Sequence, residues 1–362
     1  MPSLKRTLFL GLGGTGGKTL EILFDRMTED EKKNAKYIYI DTDSRDTGNA
    51  RAEGIKTIQI SNADNVLEVA TALGLDTDGV SEWLPMGKSD SQFLSSPLHN
   101  GASQCRMKSR LCLARYMKEN AAEFSDMLAS MTPPSLETER EPIRVVIVSS
   151  VAGGTGAGTF IQVALYVRKF FRNLGQDAEI IGVLSLPDIY KSVVEKESER
   201  RSLFANAYAA IRELNAMNLA TEPDDALSKA SRKSETLMQR LQGYGDKITM
   251  KIDTRSEGTL FNSEKPEFAL NTKTKPFDLI YFVDKANEKG GILRDVRDYY
   301  RIMANIAYTR LFSPLNAAIA AGESNELRDH AAVPTAIYGG AGYAKIVYPY
   351  EDILEYISKT HF

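Results

Sequence analysis

Cysteine is nearly missing from this chain: Cys105 and Cys112 are the only two in 362 residues. They lie seven apart, which on a helix would put them on one face without disulfide geometry, and two thiols do not complete a metal site. Reduced thiols are the expectation. Cationic excess is missing as well. Lys and Arg number 45 against 48 Asp and Glu, a formal charge of −3, so no electrostatic footprint for nucleic acid or an anionic membrane is present. No apolar run reaches the roughly 18 residues of a membrane-spanning helix. The opening Met-Pro-Ser-Leu-Lys-Arg leads only into the short stretch Leu8–Leu12, so neither a signal peptide nor a membrane segment is expected, and the cytoplasm is the default location. No internal repeat is found.

What is present is an ordinary globular balance, 43% hydrophobic and 26% charged, long enough for two domains or one large α/β domain with an appendage. Strand-like runs alternate with amphipathic stretches. Thr7–Leu10, Tyr37–Ile40, Thr57–Ile60, Arg144–Val148, Glu179–Ser185 and Asp278–Val283 read as strands; Lys18–Met27, Phe160–Phe171 and Glu197–Met217 read as helices. Strand, loop and helix in repetition predict a doubly wound, mostly parallel sheet over residues 1–291. Thr132–Glu141 and Thr221–Lys275 are polar, poorly periodic insertions. Ile292–Phe312 is a long helix closed by Pro314. Beyond it Ile337–Tyr348 reads as a strand or hairpin and Glu351–Ile357 as a helix start, either the beginning of a second α+β domain, incomplete within 315–362, or elements that pack back on the first.

Two glycine loops carry the chemistry, each between a strand and a helix. The first is Gly11-Leu12-Gly13-Gly14-Thr15-Gly16-Gly17-Lys18-Thr19. Glycine lets a backbone approach a ligand, and the following helix aims free N–H groups and a positive dipole end at the same spot, which makes a phosphate site. A P-loop would need glycine where Leu12 stands. The dinucleotide pattern G-x-G-x-x-G is met by Gly11, Gly13 and Gly16, with Asp41 at the end of the next strand. The second loop, Gly153-Gly154-Thr155-Gly156-Ala157-Gly158, has no task in an NAD(P)-dependent oxidoreductase, whereas a nucleoside di- or triphosphate can be wrapped from both sides. The bland alternative is a pair of turns that only let strands and helices pack. If the second loop holds phosphate, a branched side chain at Gly154 would fill the space of a phosphate oxygen.

The second loop resembles the tubulin/FtsZ signature G-G-G-T-G-[ST]-G, and the first resembles the loop that opens FtsZ proteins. The order, the spacing and the flanking strands agree from residue 5 to about 348, and Leu186-Pro187 with the Asn-Ala-Tyr-Ala-Ala helix is most similar to the bacterial tubulin-like group. The sequence departs from the pattern at Ala152, Ala157 and Lys18. Ala157 removes a hydroxyl from the phosphates and Lys18 supplies a charge in its place, changes that spare nucleotide binding more readily than hydrolysis.

The resemblance implies a GTPase domain binding GTP or GDP with Mg²⁺ and associating head to tail into filaments. A guanine-nucleotide switch that does not polymerise stays open beside it. It further implies Asp41 and Asp43 near the γ-phosphate, with Asp43 at the metal; a γ-phosphate loop at Gly101, Ala102 and Ser103 with Arg106 and Arg110 as charge partners; and ribose contacts at Pro187, Asp188, Glu197, Glu199, Arg200 and Arg201. Asn287 would read the guanine edge, and Tyr299 or Tyr300 would stack on the base. Catalytic acids would come from Glu323, Glu326 and Asp329, in a loop presented to the next subunit's nucleotide.

Overall fold

The computed structural model describes residues 6–48, 53–73, 91–99, 101–131, 143–176, 178–220, 251–252, 268–269, 275–287, 290–313, 315–329, 337–342, 354–356 and 358–359. Most of both expected insertions, the segments 343–353 and 360–362, and Asn100 and Pro314 lie outside them.

Seven strands form one sheet: β1 (Thr7–Leu12), β2 (Ala35–Asp41), β3 (Ile55–Gln59), β4 (Ile143–Ser150), β5 (Ala178–Ser185), β8 (Leu279–Val283) and β9 (Tyr338–Gly340), with the short pair β6 (Lys251–Ile252) and β7 (Phe268–Ala269) apart from it. The order is β3-β2-β1-β4-β5-β8-β9 and every pairing is parallel. The chain therefore winds outward one way from β1 and the other way from β4. The carboxyl ends of these two neighbours form the switch point, where open α/β sheets bind their ligands.

β1 and β4 are buried along their whole length, as the apolar runs of a parallel sheet covered on both faces must be. Alternate residues feed two cores. Leu8, Leu10, Val145 and Ile147 face one side, with α6 (Arg106–Ala129), α7 (Thr155–Asn173) and much of α8 (Glu197–Ala220). Phe9, Val146 and Val148 face the other, with α1 (Gly13–Arg26) and α9 (Val296–Phe312). Of the two glycine-led helices, α7 follows β4 after the four residues 151–154, whereas the first, α1, starts directly from its strand. Gly16 is what allows this on the first: a Cβ there would lie 2.6 Å from the carbonyl carbon of Gly11 and 2.6 Å from the Val148 oxygen.

The remaining helices are short or peripheral: α2 (Glu29–Lys33), α3 (Ser44–Gly48), α4 (Val66–Ala72), α5 (Ser91–Leu94) and α10 (Asn316–Asp329). Three outcomes differ from the sequence reading. Helix α6 has no clear amphipathic stripe in the sequence because its first turns bury Arg106, Lys108, Ser109 and Arg110. The long central helix starts at Val296, after an Asp295 cap whose carboxylate accepts from the Arg297 N–H, rather than at Ile292. The stretch expected as a loop with Glu323, Glu326 and Asp329 is the helix α10; the side chains of those three are outside the described residues. Tyr338–Gly340 packs back on the first sheet as its edge strand, Tyr338 pairing with Ile280.

Candidate nucleotide site

A cleft of about 390 Å³ opens over the switch point. Its walls are Leu12 to Thr15 from the first glycine loop; Asp41 to Asp43, Arg45 and Asp46 after β2; Gly101 to Gln104; and Ser150 with Gly153 to Gly156 from the second loop. The two glycine loops touch. Gly13 sits at φ +70°, where a side chain is strained, and a Cβ on it would meet the Gly156 nitrogen at 3.1 Å.

The helices that begin here, α1 and α7, are both without a side-chain cap, and neither carries an acidic residue in its first turn. Capping by Ser, Asp or Asn would satisfy their first N–H groups internally. Left uncapped, two sets of N–H donors and two positive dipole ends converge on one cleft, which is the physical requirement for holding an anion.

Beneath them lies a network joining β2 to α7. Asp41 is 2% exposed. Its Oδ1 accepts from the Thr155 hydroxyl at 2.9 Å and the Thr42 N–H at 2.6 Å, and its Oδ2 from the Tyr39 hydroxyl at 2.6 Å. Thr42 and Thr155 share a further hydroxyl contact at 2.7 Å. Burial pushes the Asp41 carboxyl above its ordinary value, and these hydrogen bonds only partly oppose that. Asp43 behaves oppositely. Partial burial would raise it, but the Arg45 side chain and backbone N–H outweigh this and hold the carboxyl below its usual range. Among the described residues Arg45 is the sole cationic side chain lining the cleft, against Asp41, Asp43 and Asp46.

The far wall is strained. Ser103 and Gln104 stand at φ 47° and 59°, and Gly101 at 82°. Two consecutive left-handed residues without glycine cost of order 1–3 kcal/mol each and persist only where their surroundings impose them. Tyr190, delivered by the 3-10 turn Pro187–Tyr190, bonds the hydroxyls of Thr15 at 2.9 Å and Ser185 at 2.5 Å.

The structure thus gathers Gly13, Gly14, Thr15, Asp41, Asp43, Gly101, Ala102, Ser103, Gly153, Gly154, Thr155 and Gly156 around one cleft. It places other expected residues elsewhere. Gly11, Gly16 and Gly17 are packing glycines, Gly17 against the Tyr39 ring. Lys18 lines a neighbouring cleft with Glu21, Ile22, Asp295, Arg297, Tyr300 and Arg301. Ala152, Ala157 and Gly158 are buried behind the loop; Ala157 is core, so a hydroxyl there would not face the cleft.

Arg106 and Arg110 do not point into the cleft either: both bind the Glu213 carboxylate of α8 and donate from Nε to the Ala157 and Gly158 carbonyls at 3.0 and 3.2 Å. At Gly154 the direction of a side chain is filled by Ala102, 2.7 Å from a Cβ, rather than open to a ligand; at Gly153 it is open.

Of the residues expected at the ribose, Pro187 opens the turn that carries Tyr190 and Asp188 follows it; Glu197, Glu199, Arg200 and Arg201 form ion pairs along the outer side of α8. Asn287 accepts from the Gly291 N–H and closes a turn, and the Tyr299 hydroxyl donates to the Lys285 carbonyl and accepts from the Leu293 N–H, latching the loop before α9. Tyr300, not Tyr299, faces the neighbouring cleft. The sequence reading included Gln104 in the run from Asn100 to Arg106 read as the γ-phosphate loop, but missed Arg45, Asp46 and Tyr190 at the cleft and Asn206 and Glu213 behind its loops. Only the Leu-Pro turn and the Asn-Ala-Tyr-Ala-Ala segment hinted at any of them.

The arrangement defines a class: a doubly wound parallel α/β protein with an anion cradle assembled from two glycine loops at its switch point. Within that class the chain belongs to the Tubulin like family, whose model matches residues 8–362. No curated protein matches. Among solved structures the chain is similar to CetZ2 from Haloferax volcanii, a GTPγS-bound protofilament, at 14% identity and TM-score 0.41, covering 90% of this chain and 63% of that one. It is also similar to TubZ from Bacillus thuringiensis serovar israelensis, a GTPγS-form protofilament, at 11% identity and TM-score 0.37, covering 85% and 57%. The chain thus spans about three fifths of the length of these structures. Among the described residues no helix is long and apolar enough to cross a membrane.

Proposed function

We propose that this chain binds GTP or GDP in the cleft over the switch point and hydrolyses GTP at a junction between subunits stacked head to tail. The observation that carries the reading is the meeting of two uncapped helix N-termini at Gly13 and Gly156. A single dinucleotide-type loop would need only the first. Family membership supports guanine as the base and self-association as the mode of assembly.

The phosphates lie against Gly13–Thr15 and Gly153–Gly156. The neighbouring cleft, lined by Lys18 and Tyr300, takes the nucleoside end. Among the described residues, three carboxylates against one guanidinium would repel a polyphosphate, so the site requires a divalent cation. The hard oxygen donors of the cleft suit Mg²⁺, which takes one or two carboxylates plus phosphate oxygens, and Asp43 is the residue that would hold it. Bound there, Mg²⁺ would neutralise charge on the phosphate oxygens. Thr155 donates its one hydroxyl proton to Asp41, so this pair would brace the second loop beneath the phosphates rather than touch the ligand. Glu323, Glu326 and Asp329, on α10, are the candidates to polarise water on a neighbour's nucleotide.

Calorimetric titration with GTP, GDP, ATP and NAD⁺, with mass spectrometry of the nucleotide that copurifies, tests the proposal. Guanine nucleotides should bind most tightly; tighter binding of ATP or NAD⁺ would overturn it.

A further inference from the structure

Of the polar residues of helix α8, Asn206 and Glu213 stand two helical turns apart on one face. Asn206 reaches the backs of the loops that wall the cleft directly, and Glu213 acts behind them through two arginines. The Asn206 Nδ2 donates to the Gln104 carbonyl at 2.8 Å and the Ala152 carbonyl at 3.1 Å, with the Gly153 carbonyl at 3.4 Å. Three acceptors facing one amide dictate its orientation, since Oδ1 in that place would repel all of them. Glu213 holds Arg106 and Arg110, whose Nε groups secure the Ala157 and Gly158 carbonyls. One side chain thus ties the strained Gly101–Cys105 segment to the second glycine loop, and nothing in the proposed chemistry uses it.

We infer that Asn206 is a positioning residue that sets the distance between the Gly101–Gln104 wall and the Gly153–Gly156 wall, and through it the fit of the terminal phosphate of a bound nucleotide. The inference rests on the proposed nucleotide site. The cleft has two distinct ends. Thr15 and Tyr190 adjoin the side where Lys18 and Tyr300 open the neighbouring cleft, whereas Gly101 stands beside Asp43, a Cβ on it lying 3.1 Å from Oδ2. A nucleotide whose base occupies the first end places its last phosphate at the second, against the wall that Asn206 fixes. The left-handed pair Ser103–Gln104 is a turn closed by the Cys105 N–H donating to the Ala102 carbonyl at 2.7 Å, and Asn206 ties that turn from outside at the Gln104 carbonyl.

The test is Asn206→Asp, equal in size but without the amide donor, with Asn206→Ala as a second variant. Hydrogen exchange of the ligand-free protein reads the tie directly: amides in 101–105 should exchange about tenfold faster, the loss of one or two hydrogen bonds, while β4 and β5 stay protected. The ratio of GTPγS to GDP affinity should fall about tenfold, because the diphosphate does not reach the displaced wall. Unchanged exchange in 101–105 would overturn the inference. So would faster exchange with an unaltered affinity ratio, which would make Asn206 merely structural. Wild-type protein that binds neither nucleotide would instead overturn the nucleotide site itself, and with it the positioning role, while exchange would still report on the tie.

Discussion

Gly153 and Gly154 are adjacent and both line the cleft, yet the same substitution should do opposite things to them. A Cβ on Gly154 would stand 2.7 Å from the Ala102 Cβ and 3.1 Å from the Gln104 Cα and the Cys105 nitrogen. Carbon atoms pack at about 3.5–4.0 Å, so the far wall would have to retreat by roughly 1 Å. Overpacking of this kind costs about 1–3 kcal/mol. Gly154, the N-cap of α7, stands at φ −79°, ψ −58°, a conformation that alanine adopts without strain, so alanine recovers about 0.4–1 kcal/mol through the unfolded chain. The net loss for Gly154→Ala is about 0–2 kcal/mol, no more than about 8 °C in melting temperature.

A Cβ on Gly153 meets nothing within 4 Å. Gly153→Ala should therefore leave stability unchanged, or raise it by about 0.4–1 kcal/mol through the unfolded chain. It should, however, hold a phosphate away from the loop backbone and weaken binding at least about tenfold. Melting curves and GTPγS titrations of both variants measure this. Normal binding by Gly153→Ala would show that no ligand approaches that backbone, and an unperturbed Gly154→Ala would refute the packing of the two walls.

Three further outcomes are expected. Glu213→Gln leaves two buried guanidinium groups without an anion, a change worth about 3–5 kcal/mol, and thermal denaturation should show a melting point lower by roughly 10 °C; an unshifted transition would mean that the arginines find other partners. Asp41 has a folded-state value raised above its unfolded one, so its contribution is fully present below the usual carboxylate pKa of about 4 and is lost as pH rises through the raised value. Asp41→Asn should accordingly be the more stable form at pH 7–8 and lose that advantage towards pH 4, with equal pH profiles of the two melting temperatures as the contrary result. Replacing Glu323, Glu326 and Asp329 together by Ala should keep GTP affinity and abolish most turnover, while wild-type activity per molecule rises with protein concentration; flat specific activity would argue for a self-contained site.

The sheet was legible in the sequence because a parallel strand buried on both faces must be an uninterrupted apolar run, as Arg144–Val148 nearly is, and because each glycine run sits where such a strand ends. Those runs located the cleft. Family resemblance, not periodicity, pointed to guanine. Helix α6 escaped notice for the reason that makes it interesting: its first turns bury charge, and a buried Arg106 or Arg110 reads in one dimension as a solvated face. Their partner Glu213 is about a hundred residues away, and only folding brings them together. Sequence spacing likewise could not say which way a glycine faces. Gly153 and Gly154 differ in nothing but the neighbour that the Gly101–Cys105 segment supplies to one of them. Local pattern determined which elements form and where backbone could approach an anion. The tertiary structure decided which side chains face that anion and which brace the loops from behind, because burial and pairing of charge depend on contacts that no local pattern records.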